Sequence, residues 1–326
     1  MDNYILDAIH MHDINIINVE KFSDLNTILL SDNYDIFYTG MPYKYRNIVF
    51  PENIKVIGTF HGLRPIEKYT DKFEYLYDNI FRAYAKSMLK NLRTKKIVDQ
   101  FSETMNKFEI VFCDSEHSKY SIINHINYKQ DKIKVFYAPP KEKSNKPSTN
   151  FSSCYTKTKY ILMIGGNRWI KNVYRAIIAI DQLYTKNLIA NISTIIVGNP
   201  PNRIKHRIKN KDRFIFIDYV DADNLEELYK CCDIFIYPTL NEGFGLPPLE
   251  AMAYGKTCIV SAVCSLPEIC GSAVYYVNPY DIQELQARII LSIDNHIDER
   301  KVIEQFTMIQ KKQETDLIDL CKEIIK

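Results

Sequence analysis

Short, nearly continuous apolar runs alternate with amphipathic stretches along the second half of the chain. Such runs are typical of parallel strands that helices cover on both faces. There are six of them: YILMIGG (160–166), STIIVGN (193–199), RFIFID (213–218), DIFIYPT (233–239), TCIVSAV (257–263) and AVYYVN (273–278). Helical spacing of apolar residues is clearest from Asn172 to Tyr184. The alternation predicts a doubly wound parallel sheet of the α/β class, whose ligands bind beyond the carboxyl ends of the strands.

The first half of the chain contains four runs of the same kind: DIFYTG (35–40), KVIGTFHG (55–62), EIVFCDS (109–115) and KIKVFYAP (132–139). A long helical region, roughly Lys72 to Phe108, is predicted between the second run and the third. The polar segment 141–158 has no apolar periodicity and predicts a linker. We therefore expect one domain over residues 1–150 and another over 151–326, the latter ending in an amphipathic helix from Glu314 to Lys326.

The segment NEGFGLPPLEAMAYG (241–255) directly follows the run DIFIYPT and is the strongest candidate for chemistry. Prolines are tolerated in the first turn of a helix, and Gly255 suits the left-handed residue that ends one. The segment therefore predicts a glycine loop after a strand, followed by a helix of about two turns. Two carboxylates frame the loop: Glu242 can reach sugar hydroxyls, and Glu250, in the first turn, can accept hydrogen bonds from a ribose.

The backbone of this loop is a second candidate for ligand contact. Glycine lets a ligand approach the chain closely, and the free N–H groups at a helix start favour an anion such as a diphosphate. The residues expected to line the ligand are Gly243, Phe244, Gly245 and Leu246. A plain strand-to-helix turn with solvated glutamates is the alternative interpretation.

The segment resembles the E-x7-E motif of retaining glycosyltransferases of family 4. The resemblance extends over roughly residues 159–295 and includes GGNRWIKN (165–172) and SLPEICGSAVYYVNPYD (265–281). It implies the GT-B fold, in which two Rossmann-like domains face a central cleft. The first domain would be on the acceptor side, and the second would bind the nucleotide sugar.

The resemblance also implies roles for individual residues. Arg168 and Lys171 would grip the diphosphate of the donor, Glu242 would contact the donor sugar and Glu250 the ribose. The segment TFHGLRPIE (59–67) resembles the histidine-bearing loop of the family, which would make His61 face the donor sugar across the cleft. Ordinary cations at a helix start and a structural histidine are the alternatives. Cations at a helix N-terminus oppose the helix dipole, which favours the functional interpretation.

FCDSEHSKYS (112–121) resembles the last strand-to-helix turn of the family's first domain, where Ser115 is expected to be a helix N-cap rather than a nucleophile. One departure concerns the start of that domain. The family usually has a glycine-rich loop there, but the first glycine of this chain is Gly40. The domain is therefore abbreviated, which leaves acceptor binding open and admits a non-catalytic partner of an active transferase as an alternative.

The activity that the resemblance implies is retaining transfer of a sugar from a nucleotide-sugar donor to a glycan or lipid-linked acceptor. Synthesis of a bacterial surface polysaccharide is the expected setting. No cofactor or metal is expected, because the nucleotide sugar is a substrate and two cations can stabilise the leaving diphosphate. A metal-dependent GT-A transferase is a rival, since Asp221-Ala222-Asp223 satisfies Asp-x-Asp. We expect instead that one of these aspartates, Asp223, caps the helix that follows. A sugar-nucleotide epimerase is a third possibility.

Composition narrows the classes of partner. The formal net charge of +2 is too small to imply a nucleic-acid partner. Eight cysteines are present, but their closest cluster, Cys258, Cys264 and Cys270, has no histidine at metal-ligand spacing. Reduced core thiols are the expected state. The start of the chain lacks a signal-peptide pattern, and no apolar run approaches ~20 residues. We therefore expect a cytoplasmic protein.

A basic stripe in the long helical region suggests peripheral contact with a membrane. Arg82, Lys86, Lys90 and Arg93 recur with helical spacing, beside an apolar face. A helix with this pattern, over about residues 81–96, can lie on an anionic membrane surface. A core-facing helix with a solvated basic side explains the same pattern.

Overall fold

The computed structural model describes residues 34–67, 71–78, 90–126, 128–140 and 159–325 together with Leu25 and Leu29, without the side chains of 90–93. These residues divide between two compact units. The first takes its residues from Met1–Glu67, Lys90–Lys141 and Gln310–Lys326, and the second from Lys68–Leu89 and Glu142–Ile309. The predicted linker, 141–158, lies outside the described residues.

The first unit is built on a four-stranded parallel sheet with the order β1-β2-β3-β4. Its strands are β1 (Ile36–Thr39), β2 (Lys55–Phe60), β3 (Ile110–Cys113) and β4 (Ile133–Val135). Its helices before the C-terminal segment are α1 (Arg64–Glu67), α2 (Lys90–Met105) and α3 (Glu116–Ile126), with 3-10 turns at Pro42–Tyr45 and Gln130–Lys132. All four predicted strands are confirmed. One face of the sheet buries a cluster that includes Val56, Phe60 and Val111.

The helical region predicted from Lys72 to Phe108 is shorter where the structure describes it. Residues 71–78 contain only the 3-10 turn Glu74–Leu76, and α2 ends at Met105. The Asp71 side chain accepts a hydrogen bond from the backbone N–H of Phe73 at 2.8 Å, which holds the chain in a turn. Asp71 also forms a buried ion pair with Arg175, at 2.6 Å, within the second unit.

The second unit contains a six-stranded parallel sheet with the order β10-β9-β8-β5-β6-β7. Its strands are β5 (Tyr160–Ile164), β6 (Ser193–Val197), β7 (Phe214–Ile217), β8 (Ile234–Tyr237), β9 (Thr257–Ser261) and β10 (Tyr275–Val277). Its helices are α4 (Val173–Thr185), α5 (Asn202–Lys205), α6 (Ala222–Cys231), α7 (Leu246–Met252), α8 (Leu266–Cys270) and α9 (Ile282–Asp294), with 3-10 turns at Glu74–Leu76, Trp169–Lys171 and Lys211–Arg213. The six predicted strands and the helix predicted from Asn172 to Tyr184 are confirmed.

The order of these strands reverses direction between β5 and β8. From β5 the chain moves outward through β6 to β7, and it then returns to place β8 on the other side of β5. This reversal is the topological switch point of a doubly wound sheet, where the loops after the two central strands separate and leave a crevice. The loops after β5 and β8 are those that carry the candidate motifs.

The last helix, α10 (Glu299–Ile325), is longer than the predicted segment from Glu314 to Lys326. Its residues 310–325 belong to the first unit rather than to the second, so the predicted extent 151–326 of the second domain differs from the observed unit. The reason is apolar burial, because Leu320, Cys321 and Ile324 pack against Ile57 and Phe112 of the first sheet. The Asp316 carboxylate also accepts a hydrogen bond from the backbone N–H of Tyr137, at 2.9 Å.

The seven cysteines that the structure describes are all free thiols. Burial raises the pKa of Cys232 and of Cys270 to about 12, so both are protonated at neutral pH. This agrees with the predicted reduced core thiols. Within the described ranges, no helix combines the length and the apolar character that crossing a membrane requires.

Candidate functional site

The loop after β5 places a lysine beneath the surface of the second unit. It contains the 3-10 turn Trp169–Lys171 and ends at Asn172, which has the left-handed φ of 56° from which α4 starts. Gly166 is required at the start of the loop, because a Cβ there would lie 2.0 Å from the carbonyl oxygen of Gly198. The Lys171 side chain, at the end of the 3-10 turn, is only 3% exposed.

Asn172 ties this loop to two others. Its side-chain amide donates hydrogen bonds to the carbonyl oxygens of Pro238, at 2.9 Å, and Pro279, at 2.7 Å. Its side-chain oxygen accepts a hydrogen bond from Arg175 at 2.8 Å. Because Pro238 follows β8 and Pro279 follows β10, one buried amide fixes the loops after three strands relative to one another.

The loop after β8 has the predicted form. Gly245, with φ of 113°, immediately precedes α7, and a Cβ there would meet the Leu266 side chain at 2.8 Å. The Ser265 hydroxyl donates to the Phe244 carbonyl oxygen at 2.8 Å, which anchors the loop from below. Phe244 is buried and Leu246 is exposed, so only the second can offer its side chain to a ligand. Gly255 is left-handed, as predicted, with φ of 65°.

The two loops meet in a cluster of three side chains. The Lys171 ammonium forms an ion pair with Oε2 of Glu242 and also hydrogen-bonds the Tyr237 hydroxyl. That hydroxyl donates to the same Oε2 at 2.6 Å, and the ammonium lies 4.8 Å from the centroid of the Tyr237 ring. The carboxylate and the ring compensate an ammonium that would otherwise be costly to bury. We call these three residues the switch-point cluster.

Two members of this cluster, Lys171 and Glu242, are predicted site residues, and the structure brings them into direct contact. Tyr237 was not predicted. It is the last residue of β8, and a polar group at the carboxyl end of a central strand was the available signal. The roles assigned to Lys171 and Glu242 toward a donor stay predictions.

Arg168 has a different environment from Lys171. Its side chain is exposed and lies over Gly165. If Gly165 carried a Cβ atom, that atom would be 3.4 Å from Nη2 of Arg168. Among the described residues, no acceptor or carboxylate engages its guanidinium. The cation is therefore available to an anionic ligand without first breaking an internal contact.

The second carboxylate of the motif, Glu250, is half-buried and lies in the second turn of α7 rather than in the first turn, where it was predicted. It faces Tyr229 of α6, which is buried. Burial is the main cause of the raised pKa of the Tyr229 phenol, and the charge of Glu250 raises that pKa further. The Tyr229 phenol therefore stays protonated at any physiological pH.

In the first unit, the predicted residue His61 directly follows β2, and its Nδ1 lies 2.6 Å from Oδ2 of Asp114. Asp114 follows β3, the neighbour of β2, so the pair forms at the carboxyl edge of the first sheet. His61 is 45% exposed, whereas Asp114 is buried. In the described part of the chain, no hydrogen-bond donor reaches Oδ1 of Asp114. The aspartate orients the ring, and His61's role toward a donor sugar stays a prediction.

Two helix caps are also resolved. Ser115 accepts a hydrogen bond from the backbone N–H of Ser118 at 3.2 Å, which confirms it as the N-cap of α3. For Asp-x-Asp, the prediction chose the wrong residue: Asp221, not Asp223, caps α6, accepting from the Asn224 N–H at 2.8 Å. The helix starts one residue after Asp221, so only that carboxylate reaches the free N–H groups.

The basic stripe of the predicted membrane helix cannot be placed. Arg82 and Lys86 lie outside the described residues, as do the side chains of Lys90 and Arg93.

Comparison with known proteins adds to this geometry. The chain matches the family described as glycosyl transferases group 1 over residues 141–309, just over half of its length. It is 28% identical over 233 residues to the O-antigen chain mannosyltransferase RfbU of Salmonella typhimurium, covering 71% of this chain and 59% of RfbU. It is 42% identical over 77 residues to the serotype-specific mannosyltransferase WbdA of Escherichia coli, covering 24% of this chain and 9% of WbdA. The chain thus spans less than two thirds of these relatives.

Solved structures share the fold at low sequence identity. The sucrose-phosphate synthase of Thermosynechococcus elongatus aligns with a TM-score of 0.71 at 16% identity, over 94% of this chain and 79% of that one. Anabaena HepE in complex with UDP aligns with a TM-score of 0.67 at 15% identity, over 90% of this chain and 78% of that one. These similarities confirm the predicted GT-B fold class, with a Rossmann-like sheet in each unit.

Proposed function

Because the chain belongs to the group 1 family of glycosyl transferases, we propose that it moves a sugar from a nucleotide-sugar donor to a glycan or lipid-linked acceptor. We further propose that the transfer retains the anomeric configuration and needs no metal ion. The observation that carries this proposal is the switch-point cluster. It joins a buried cation to a carboxylate in the crevice where a doubly wound sheet binds its ligand.

The donor's diphosphate is the group that the loop after β5 suits best. Arg168 offers an exposed guanidinium that no acceptor in the described ranges engages, and Lys171 contributes a second positive charge beneath it. The two cations would stabilise the charge that develops on the leaving diphosphate, and fixed electrostatic stabilisation of this kind is usually the largest catalytic contribution. Glu250 would accept hydrogen bonds from the ribose at the other end of the loop.

In the proposed reaction, the bond between the anomeric carbon and the diphosphate oxygen breaks, and its electron pair leaves with the diphosphate. The acceptor hydroxyl attacks from the same face, and its proton passes to the departing phosphate oxygen. Glu242 would hold the donor sugar while this occurs. Its carboxylate is oriented by the Tyr237 hydroxyl, so the side chain is already fixed before the donor arrives. In the first unit, His61, held by Asp114, would contact the donor sugar.

The sugar that we propose is mannose, because RfbU and WbdA are both mannosyltransferases by name. The proposed setting is synthesis of a bacterial surface polysaccharide on the cytoplasmic side of the membrane. The metal-dependent rival loses its main support, because the Asp221 carboxylate is engaged in capping a helix.

A donor screen tests the proposal. Purified protein is incubated with GDP-, UDP- and dTDP-sugars, and the release of free nucleotide is measured with and without polysaccharide or lipid-linked acceptors. We expect release from one nucleotide-activated mannose and little from the other donors. Release from none of them, by a protein whose melting curve shows that it is folded, would favour the non-catalytic partner instead.

A further inference from the structure

A second charged region lies in the second unit, in the segment from Arg203 to Arg213. Six lysine and arginine residues occur there against one acidic residue, Asp212, although the whole chain has a net charge of only +2. The six residues are Arg203, Lys205, Arg207, Lys209, Lys211 and Arg213. None of them belongs to the switch-point cluster or to the loops around it. We call this segment, together with Lys186 at the end of α4, the basic surface.

The charges of the basic surface are not neutralised by neighbouring acids. Within the part of the chain that the structure describes, none of its side chains forms an ion pair with a carboxylate. Surface lysines elsewhere do so: Lys230 pairs with Glu226 and Glu227 at 2.9 Å. The positive potential of the basic surface is therefore available to a partner.

Neutral oxygen atoms hold the arginines of the basic surface in place. Arg203 donates to the backbone carbonyl oxygens of Tyr75, at 2.7 Å, and Asp78, at 3.0 Å. Arg207 donates to the Tyr174 hydroxyl at 3.2 Å. Contacts of this kind fix the guanidinium groups without cancelling their charge, so less side-chain entropy is lost when an anion binds.

An apolar pocket opens in the middle of these cations. It has a volume of about 250 Å³ and lies between α4 and the residues that follow α5. Isoleucines form its apolar lining: Ile177, Ile178, Ile204 and Ile208. Lys186, Arg207 and Lys209 also line it. The one carboxylate in the pocket, Asp181, is buried and accepts hydrogen bonds from the backbone N–H groups of Lys209 and Asn210, at 3.1 and 2.9 Å.

We propose that the basic surface docks on an anionic lipid bilayer. The lysines and arginines of the basic surface match the phosphate headgroups of such a bilayer. Ile177, Ile204 and Ile208 are buried in the pocket, so they do not contribute apolar surface to this contact. Leu188, two residues beyond Lys186, adds an apolar side chain that is 55% exposed. A single-stranded nucleic acid fits less well, because it needs exposed aromatic rings for stacking. The rings of Tyr174 and Tyr184 are buried, and the half-buried Phe216 ring lies beneath the Lys205 ammonium, 5.1 Å from its centroid.

This docking does not depend on the proposed transferase activity, because it involves none of the residues assigned to the donor. It would also be independent of any contact by the predicted helix at residues 81–96. Each well-placed cation contributes about a fivefold increase in partitioning to an anionic surface. Removing three of them should therefore lower partitioning by about two orders of magnitude.

Co-sedimentation of the full chain with vesicles tests the proposal. The vesicles contain either phosphatidylcholine alone or phosphatidylcholine with phosphatidylglycerol, at low and at high salt. The test variant carries Lys205→Glu, Lys209→Glu and Lys211→Glu. The matched control carries Lys159→Glu, Lys301→Glu and Lys311→Glu, which changes the net charge equally on exposed residues outside the basic surface. Thermal melting establishes that both variants are folded.

We expect the unchanged protein to bind only the anionic vesicles, and to release them at high salt. The test variant should lose at least two orders of magnitude in partitioning, because each substitution adds a negative charge as well as removing a positive one, whereas the control variant should lose much less. Equal losses in both variants would overturn the proposal, because they would reflect net charge alone. Undiminished binding by the test variant would place the membrane contact elsewhere. If the unchanged protein does not bind anionic vesicles but binds single-stranded RNA tightly, the proposal is overturned and the partner is a nucleic acid.

Discussion

Replacing Tyr237 by phenylalanine removes one hydroxyl group from the switch-point cluster and leaves the ring in place. The hydroxyl contacts the Lys171 ammonium and donates to the Glu242 carboxylate at 2.6 Å. Tyr237 is 1% exposed, so water cannot readily replace the lost group. The cation–ring contact of 4.8 Å should persist. The variant therefore isolates the contribution of the hydroxyl to the switch-point cluster, through Lys171 and Glu242 together.

The size of the effect follows from the charges. A hydrogen bond to a charged group contributes about 1.5 to 3 kcal/mol. If the hydroxyl fixes Glu242 for the donor sugar, kcat/KM should fall by about 10- to 150-fold in Tyr237→Phe. The affinity for free nucleotide should change less than kcat/KM, because that ligand lacks the sugar and the exposed Arg168 is unaltered. Steady-state kinetics with the donor identified in the screen, and calorimetry with free nucleotide, measure the two quantities.

Tyr160→Phe is the matched control. Tyr160 is equally buried in the same sheet, at the start of β5, and its hydroxyl donates to the Leu228 carbonyl oxygen at 2.8 Å. Its loss should cost about 1 kcal/mol of unfolding free energy, with kcat/KM unchanged. The reasoning fails if both variants lose kcat/KM equally, or if Tyr237→Phe keeps full activity.

Three further predictions concern the donor site. Arg168→Ala should cost about 2 to 4 kcal/mol of transition-state stabilisation and lower kcat/KM accordingly. The melting temperature should not fall, because the side chain is exposed. Replacement of the exposed Arg300 by alanine is the control, and an unchanged kcat/KM in Arg168→Ala would remove Arg168 from the mechanism. Transfer should persist in excess EDTA, and Asp221→Asn should stay active because asparagine also caps helices; loss with chelator and recovery with manganese would contradict this. Glu242→Gln should weaken calorimetric binding of the intact donor more than that of free nucleotide, because only the donor carries the sugar, whereas Glu250→Gln should weaken both equally. The same pattern of losses in both variants would refute the assigned roles.

The strands could be predicted from the sequence because burial on both faces leaves a local signature. All ten apolar runs correspond to strands, and the helix after Asn172 starts at the next residue. Local chemistry also predicted the left-handed Gly255 and the Ser115 cap. Asp223 was wrongly predicted as the helix cap because the exact start of the helix was not known from the sequence. The helix begins at Ala222, so the residue before it, Asp221, is the cap.

Contacts across the sheet could not be predicted, because they depend on strand order. The ion pair between Lys171 and Glu242 joins residues 71 positions apart, and it exists because β5 and β8 are neighbours. The pairing of Asp71 with Arg175 spans 104 positions. This ion pair holds residues 71–78 in the second unit, although they precede β3 and β4 of the first sheet in the chain. Periodicity alone carries no sign of such a contact, so the helix predicted from Lys72 to Phe108 extended too far.

The assignment of residues 310–325 to the first unit has a consequence for biosynthesis. The first sheet's strands are complete in the nascent chain by Val135, but Ile57 and Phe112 cannot contact Leu320 and Ile324 until those residues have been synthesised. At bacterial elongation rates of about 5–20 residues per second, that interval lasts roughly 10 to 40 s. The second unit can form its own contacts while the first still lacks those of residues 310–325. During translation the first unit is therefore the later of the two to complete its contacts, and an incomplete core of this kind is what chaperones protect.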